Sequence, residues 1–250
     1  MPARSLIFMV TLLLLSPNAW SDIDSRVNGR VFYAQLDQSK PSFFFDSLVK
    51  EKDGKTLAVS TYSDKSGKSL ITESVDFQGD RILRYTYKQS QVDESGEATF
   101  EGGKIQMTFL RGGKTEKDSE DYEPNTVVAP MIAPLLEKKW DALMAGETIR
   151  IRYLAIERLE TIGFKFFKDR ERVLNGKPVV DIVMKPSSFF IAAIVDPIHI
   201  TIAKEAPHWI VESDGRLPVR VPKREPPRTR EDWRAIDARV EYDAPLTATK

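Results

Sequence analysis

The chain of 250 residues has no cysteine. That absence excludes thiolate zinc sites, iron–sulfur ligation, a disulfide framework, a cysteine nucleophile and a Cys-anchored lipid. Histidine is scarce too, with only His199 and His208, spaced His199-x5-Glu205-x2-His208. A zinc centre needs three or four converging ligands, and this spacing is not the helical His-Glu-x-x-His pattern, so no metal is expected. Charge of either sign is not in excess: 37 basic residues balance 37 acidic ones, which gives no general attraction to nucleic acid. None of the four asparagines (Asn18, Asn28, Asn125, Asn175) sits in a glycosylation acceptor. There is no Gly-x-Ser-x-Gly elbow and no phosphate-cradling glycine motif. Ser47-Leu48-Val49-Lys50 matches Ser-x-x-Lys in isolation, in a strand-like stretch without that hydrolase class's other motifs. The sequence therefore names no catalytic residue and no cofactor.

Long hydrophobic runs are also missing, apart from one at the N-terminus. Arg4 precedes the apolar stretch Leu6 to Leu15, Pro17 breaks it, and Ala19-Trp20-Ser21 carries small residues where a signal peptidase reads. Residues 1–21 read as a signal peptide cleaved after Ser21, with a core too short to span a bilayer of about 30 Å. The expected location is the periplasm, with no membrane-spanning segment in the mature chain. A mature chain of that length can bury a sizeable core without disulfides.

What is present is alternation. Ile149, Ile151 and Tyr153 alternate with polar neighbours; so do Ile198, Ile200 and Ile202, then Leu217, Val219 and Val221, then Ile236, Ala238, Val240 and Tyr242. Each reads as a strand with one wet and one buried face. Segments near 30–36, 42–50, 56–62, 69–77, 81–88, 97–101 and 104–110 follow the same habit less strictly. Turn dipeptides separate them: Asp53-Gly54, Ser66-Gly67, Gly79-Asp80, Ser95-Gly96, Gly102-Gly103, Gly112-Gly113, Asn175-Gly176 and Asp214-Gly215. Short connections imply antiparallel pairing. Two segments depart from this. Pro134 to Ala145 has helical spacing with Gly146 as its stop, and Ser187 to Val195 reads as a short helix, apolar all round. The expectation is one domain over 22–250. Its class is mainly β (α+β): a large curved antiparallel sheet or half-barrel with one or two covering helices.

Charge is unevenly spread. Five acidic residues stand against Lys117 between Glu116 and Glu123, which reads as an acidic loop. Seven basic residues fall between Arg216 and Arg234, and Arg216, Arg220, Lys223 and Arg224 are the candidates for a basic surface that meets an acidic partner or anionic headgroups. The aromatic pieces Phe43-Phe44-Phe45, Phe164-Lys165-Phe166-Phe167 and Phe189-Phe190 suggest a sheet and helices enclosing an apolar space, the alternative being plain core packing. The candidate ligand contacts are Phe164, Phe166, Phe189, Phe190, Ile194 and Trp209.

The stretches Ala145-Gly146-Glu147 through Arg150, Asn175-Gly176-Lys177, Met184-Lys185-Pro186-Ser187-Ser188 and Trp209 through Arg220 (WIVESDGRLPVR) have a family look. Over residues 127–221 the chain resembles a group of uncharacterised exported bacterial proteins known as a domain of unknown function. That group in turn resembles the outer-membrane lipoprotein carrier fold. The resemblance implies a half-barrel closed by helices around a hydrophobic cavity and, by analogy, a lipid-like ligand. The leading expectation is a non-enzymatic binder of an apolar or lipid-like ligand in the cell envelope. The alternatives are an envelope-polymer hydrolase using paired carboxylates, and a module that binds an envelope protein through its basic segment.

Overall fold

The computed structural model describes residues 23–193 and 195–247. The expected signal peptide, 1–21, and the candidate contact Ile194 lie outside the described residues. The first half of the chain is an unbroken series of hairpins: β1 (Ile23–Tyr33), β2 (Phe43–Lys52), β3 (Lys55–Ser63), β4 (Ser69–Gln78), β5 (Arg81–Gln89), β6 (Glu94–Glu101), β7 (Lys104–Arg111) and β8 (Lys114–Asp121). After β9 (Thr126–Val127) come a 3-10 turn at Ala129–Met131 and the helices α1 (Ile132–Lys138) and α2 (Trp140–Met144). The second run is β10 (Ile149–Ala155), β11 (Glu160–Leu174), β12 (Lys177–Pro186), the single-turn α3 (Phe189–Ala192), β13 (Ile198–Ala203), β14 (Ile210–Pro222), β15 (Trp233–Tyr242) and β16 (Leu246–Thr247).

All sixteen strands belong to one sheet among the described residues. β1 lies in its middle, paired with β2 on one side and β15 on the other, so the sheet has two arms, β1 to β8 and β15 back to β9. Every pairing is antiparallel except β9 with β10. The free edges are β8 and β9 and the sheet does not close on itself, which matches the expected large curved antiparallel sheet.

Alternation sets which face is inward. Along β4, Ile71, Glu73, Val75 and Phe77 are buried while Thr72, Ser74 and Asp76 are not. The inner faces of the two arms meet in one core, where Val75, Tyr85 and Phe109 share a cluster with Phe166, Ile182 and Val240. The arms are also joined by hydrogen bonds. Gln89 donates to the Pro218 carbonyl at 3.0 Å, Gln91 donates to the Arg220 carbonyl at 2.6 Å, and the Arg220 amide donates back to Gln91 at 2.9 Å.

Four expectations need correction. Ser95-Gly96 and Asp214-Gly215 are not turns but lie inside β6 and β14. A Cβ on Gly96 would sit 2.6 Å from Ile156, and one on Gly215 would sit 2.9 Å from Ile198. Glycine is needed there for close approach, not for chain reversal. The 134–145 helix begins earlier, in the 3-10 turn, and breaks at Lys139 between α1 and α2. Most of the acidic stretch is a strand, β8, exposed except at the half-buried Glu120. Two β8 edges paired about a two-fold axis normal to the sheet, with Lys117 at the axis, would set Lys117 against itself and Glu116 against Asp118. Such repulsion blunts an edge against self-pairing.

Candidate functional site

The inner face of β4 carries one ionisable side chain, Glu73, which is 4% exposed. Ser60 on β3 and Tyr87 on β5 stand across from it in register. One position along β5's inner face, the Tyr85 hydroxyl donates to Glu73 Oε2 at 2.7 Å. Burial pushes the Glu73 carboxyl up to about 7; the Tyr85 hydrogen bond opposes this, and the charge of Glu157 adds to it. Tyr62, Tyr85 and Tyr153 are pushed well up by their own burial first, with the negative charge of Glu73 adding to each. Tyr62 comes from β3 and Tyr153 from β10 on the other arm. Tyr62 packs on Phe45 at 5.0 Å, and Tyr153 packs edge-on to Phe164 at 6.0 Å. Among the described residues, Glu73 has no cationic partner.

A second buried carboxylate, Glu94, is treated differently. Its side chain is 1% exposed and faces three arginines: Arg111 at 3.3 Å, Arg220 at 3.6 Å, and Arg230, which also bonds it. These come from β7, β14 and the turn before β15, so the carboxylate ties the two arms together. In the basic segment Arg220 joins this buried cluster, while Arg216 and Arg224 are exposed and make ion pairs within the chain. Arg220 holds Glu94, Arg216 makes a two-pronged contact with Asp237 at 2.6 and 3.1 Å, and Arg224 holds Asp232 at 2.7 Å. The Lys223 amide donates to the Asp232 carbonyl.

The proposed ligand contacts fall at two places. Phe166 is fully buried in the core, and Phe164 is half-buried beside Tyr153. Phe189 and Phe190 are each 83% exposed on α3, which leaves the Pro186 end of β12. The Trp209 carbonyl accepts from the Ala203 amide at 3.0 Å, and Ala203 pairs with Val179 near the opposite end of β12. From Val179 to Pro186 an extended strand covers about 23 Å. Trp209 and the Phe189–Phe190 pair thus mark opposite ends of the sheet. His199 is exposed on β13, while His208 lies flat on Trp140 with ring centroids 4.0 Å apart and planes at 14°.

The sequence reading missed Glu73 and its tyrosines. The available signal was a charged residue in the apolar phase of an alternating strand, Ile71-x-Glu73-x-Val75-x-Phe77.

No family model matches the sequence, and no curated protein matches it. Among solved structures, the chain is similar to a crystal structure from Brucella abortus, described as a beta-barrel-like protein of domain of unknown function DUF1849. The two are 6% identical, the match covers 91% of this chain and 98% of that chain, and the TM-score is 0.45.

Proposed function

We propose that the protein is a non-enzymatic, exported envelope protein that engages an apolar or lipid-like surface through Phe189 and Phe190. The observation that carries this reading is the exposure of both rings, 83% each, side by side on a single helical turn beyond the sheet. Two adjacent exposed phenylalanines on one turn are not packing residues. Ala192, Ala193 and Val195 extend the same small, exposed apolar surface. Lys165 and Lys185, paired across β11 and β12 close to this tip, suit the anionic headgroup layer. Among the described residues no helix is long and apolar enough to cross a membrane, so contact would be at one leaflet through the tip. A polymer hydrolase needs carboxylates opening onto a cleft, and Glu73 is buried and bonded by Tyr85, which favours binding over hydrolysis.

Burying one phenylalanine from water contributes about 1.5 to 3 kcal/mol, so the pair supplies roughly 3 to 6 kcal/mol of partition energy. Replacing both by serine should lower binding to vesicles containing anionic phospholipid by about two to four orders of magnitude, with the melting temperature unchanged. Flotation of the variant with vesicles as efficiently as the wild type would defeat the proposal.

A further inference from the structure

We propose that Arg150, Lys165 and Lys185 form a binding site for the phosphate of a phosphomonoester lipid headgroup. The proposal rests on the membrane contact of the Phe189–Phe190 tip and names the lipid class selected there. The three cations stand in one row across three strands: Arg150 of β10 pairs with Lys165 of β11, and Lys165 pairs with Lys185 of β12. All three point to the outer face, because their neighbours along each strand, Ile151, Phe166 and Met184, are buried in the core. Strands lie about 4.8 Å apart, so the row is about 10 Å long and its long side chains can converge on one phosphate.

Like charges directly opposite one another destabilise a sheet, so such a row asks for a counter-charge. Other cations meet an acid directly across the strand: Lys104 meets Asp121 at 2.6 Å, Arg170 meets Asp181 at 2.9 Å, and Arg216 meets Asp237 at 2.6 Å. Among the described residues, no carboxylate pairs with Arg150, Lys165 or Lys185, and no second row of three cations occurs. The Lys185 ammonium lies over the Phe167 ring at 5.0 Å, a contact that leaves its N–H donors for a ligand. The row is open to solvent, with Arg150 exposed and both lysines half-buried. Next to Lys165, on the side of the tip, the outward position of β11 is Gly163, where a Cβ would meet only Ser187 within 4 Å. The Ser187 amide donates to the Gly163 carbonyl at 2.8 Å, which holds its exposed hydroxyl beside the row as a further donor.

Depth and charge both fit a lipid phosphate. Lys185 precedes Phe189 by one short stretch of chain, so their Cα atoms are at most about 14 Å apart. Apolar groups of a surface-bound protein enter about 5 to 10 Å below the headgroups, which leaves the row at the level of the phosphates once both rings are buried. A phosphomonoester offers up to two charges and three acceptor oxygens, and a diester offers fewer of each. Three unopposed cations and a hydroxyl match the monoester. The Arg150 guanidinium can take two oxygens in parallel, and the lysines act as point charges.

The test compares binding of the full mature chain to phosphatidylcholine vesicles carrying phosphatidate or, at equal surface charge, phosphatidylglycerol. The wild type should bind the phosphatidate vesicles at least about tenfold more tightly. The variant carrying Arg150→Gln, Lys165→Gln and Lys185→Gln together should lose that preference. Thermal melting confirms that the variant is folded, and its midpoint should be unchanged or higher, because repelling charges have been removed. Calorimetry with soluble dihexanoyl phosphatidate reads the row without any vesicle: the wild type should bind it saturably and the triple variant should not. Equal affinity of the wild type for the two vesicle types, a preference that persists in the folded triple variant, or no saturable binding of the soluble lipid overturns the proposal. Inorganic phosphate that competes as well as dihexanoyl phosphatidate marks a free-phosphate site and overturns the lipid assignment. Replacing Phe189 and Phe190 by serine should weaken binding to both vesicle types by the same factor and keep their ratio. Absence of any vesicle binding would defeat the tip proposal, and the soluble lipid then decides this one.

Discussion

Replacing Glu73 by glutamine should change how stability depends on pH, and the size follows from the structure. The carboxyl is raised from 4.5 to about 7 by burial. The folded state therefore holds a proton that the unfolded chain has already released. Because the folded value is raised, this group's contribution is fully present below pH 4.5, is lost as pH rises through 7, and stays lost above that. The difference between 4.5 and about 7, at 1.36 kcal/mol per pH unit, amounts to about 3 kcal/mol. Glutamine cannot ionise, occupies nearly the same volume, and still accepts the Tyr85 hydrogen bond through its amide oxygen. The stability of E73Q relative to the wild type should thus be near zero at pH 4 to 5 and reach about 3 kcal/mol in the variant's favour at pH 8. Urea unfolding followed by tryptophan fluorescence at four pH values between 5 and 8 measures this directly. With a slope of about 3 kcal/mol per molar, the midpoint at pH 8 should rise by about 1 M. Taking the difference between two proteins cancels every other titrating group. A difference that stays constant across this range would refute the assignment of a buried, protonated Glu73.

Two further perturbations probe the joints between the arms. Gly96→Ala places a methyl group 2.6 Å from Ile156, so it should destabilise by about 1 to 3 kcal/mol, and adding Ile156→Val should recover part of that loss in thermal melts. Glu94→Ala leaves three arginines without their buried carboxylate, which should cost about 3 to 5 kcal/mol and raise hydrogen exchange at Pro218-flanking amides of β14 before the outer strands of either arm respond.

Much of the fold is legible in the sequence because one face of each strand is wet. Ile198, Ile200 and Ile202 point inward in β13 as their spacing requires, and the same holds for Ile236, Ala238 and Val240 in β15. Gly146 stops α2 with a positive φ, and the Asp53-Gly54 and Asn175-Gly176 pairs reverse the chain with both residues left-handed. The misreadings share a cause: local composition is silent about what lies across the molecule. Ser95-Gly96 has turn chemistry, but Ile156, far along the chain, needs the space over Gly96. The stretch from Glu116 to Asp121 has no apolar residue, so it reads as a loop, yet an exposed edge strand paired on one side only needs no apolar phase. The arginines of the 216–234 segment are legible as a charged stretch, but their partners Glu94, Asp232 and Asp237 are not. Phe189 and Phe190 are visible as aromatics from the sequence, but their exposure depends on α3 being too short to fold back over them.

The place of β1 has a consequence in time. It is the first described strand of the chain and sits in the centre of the sheet, where Gly29 meets both Phe45 of β2 and Tyr242 of β15. The arm from β1 to β8 can zip up hairpin by hairpin, each strand finding the one just made. The other side of β1 must wait until almost the whole chain exists, because its partner is the last long strand. Until then β1 is an unpaired edge with a buried face, the condition in which chains join one another instead of themselves. A chain cut short before Trp233 would keep that edge open permanently, so the strand Trp233–Tyr242 decides whether β1 is safe.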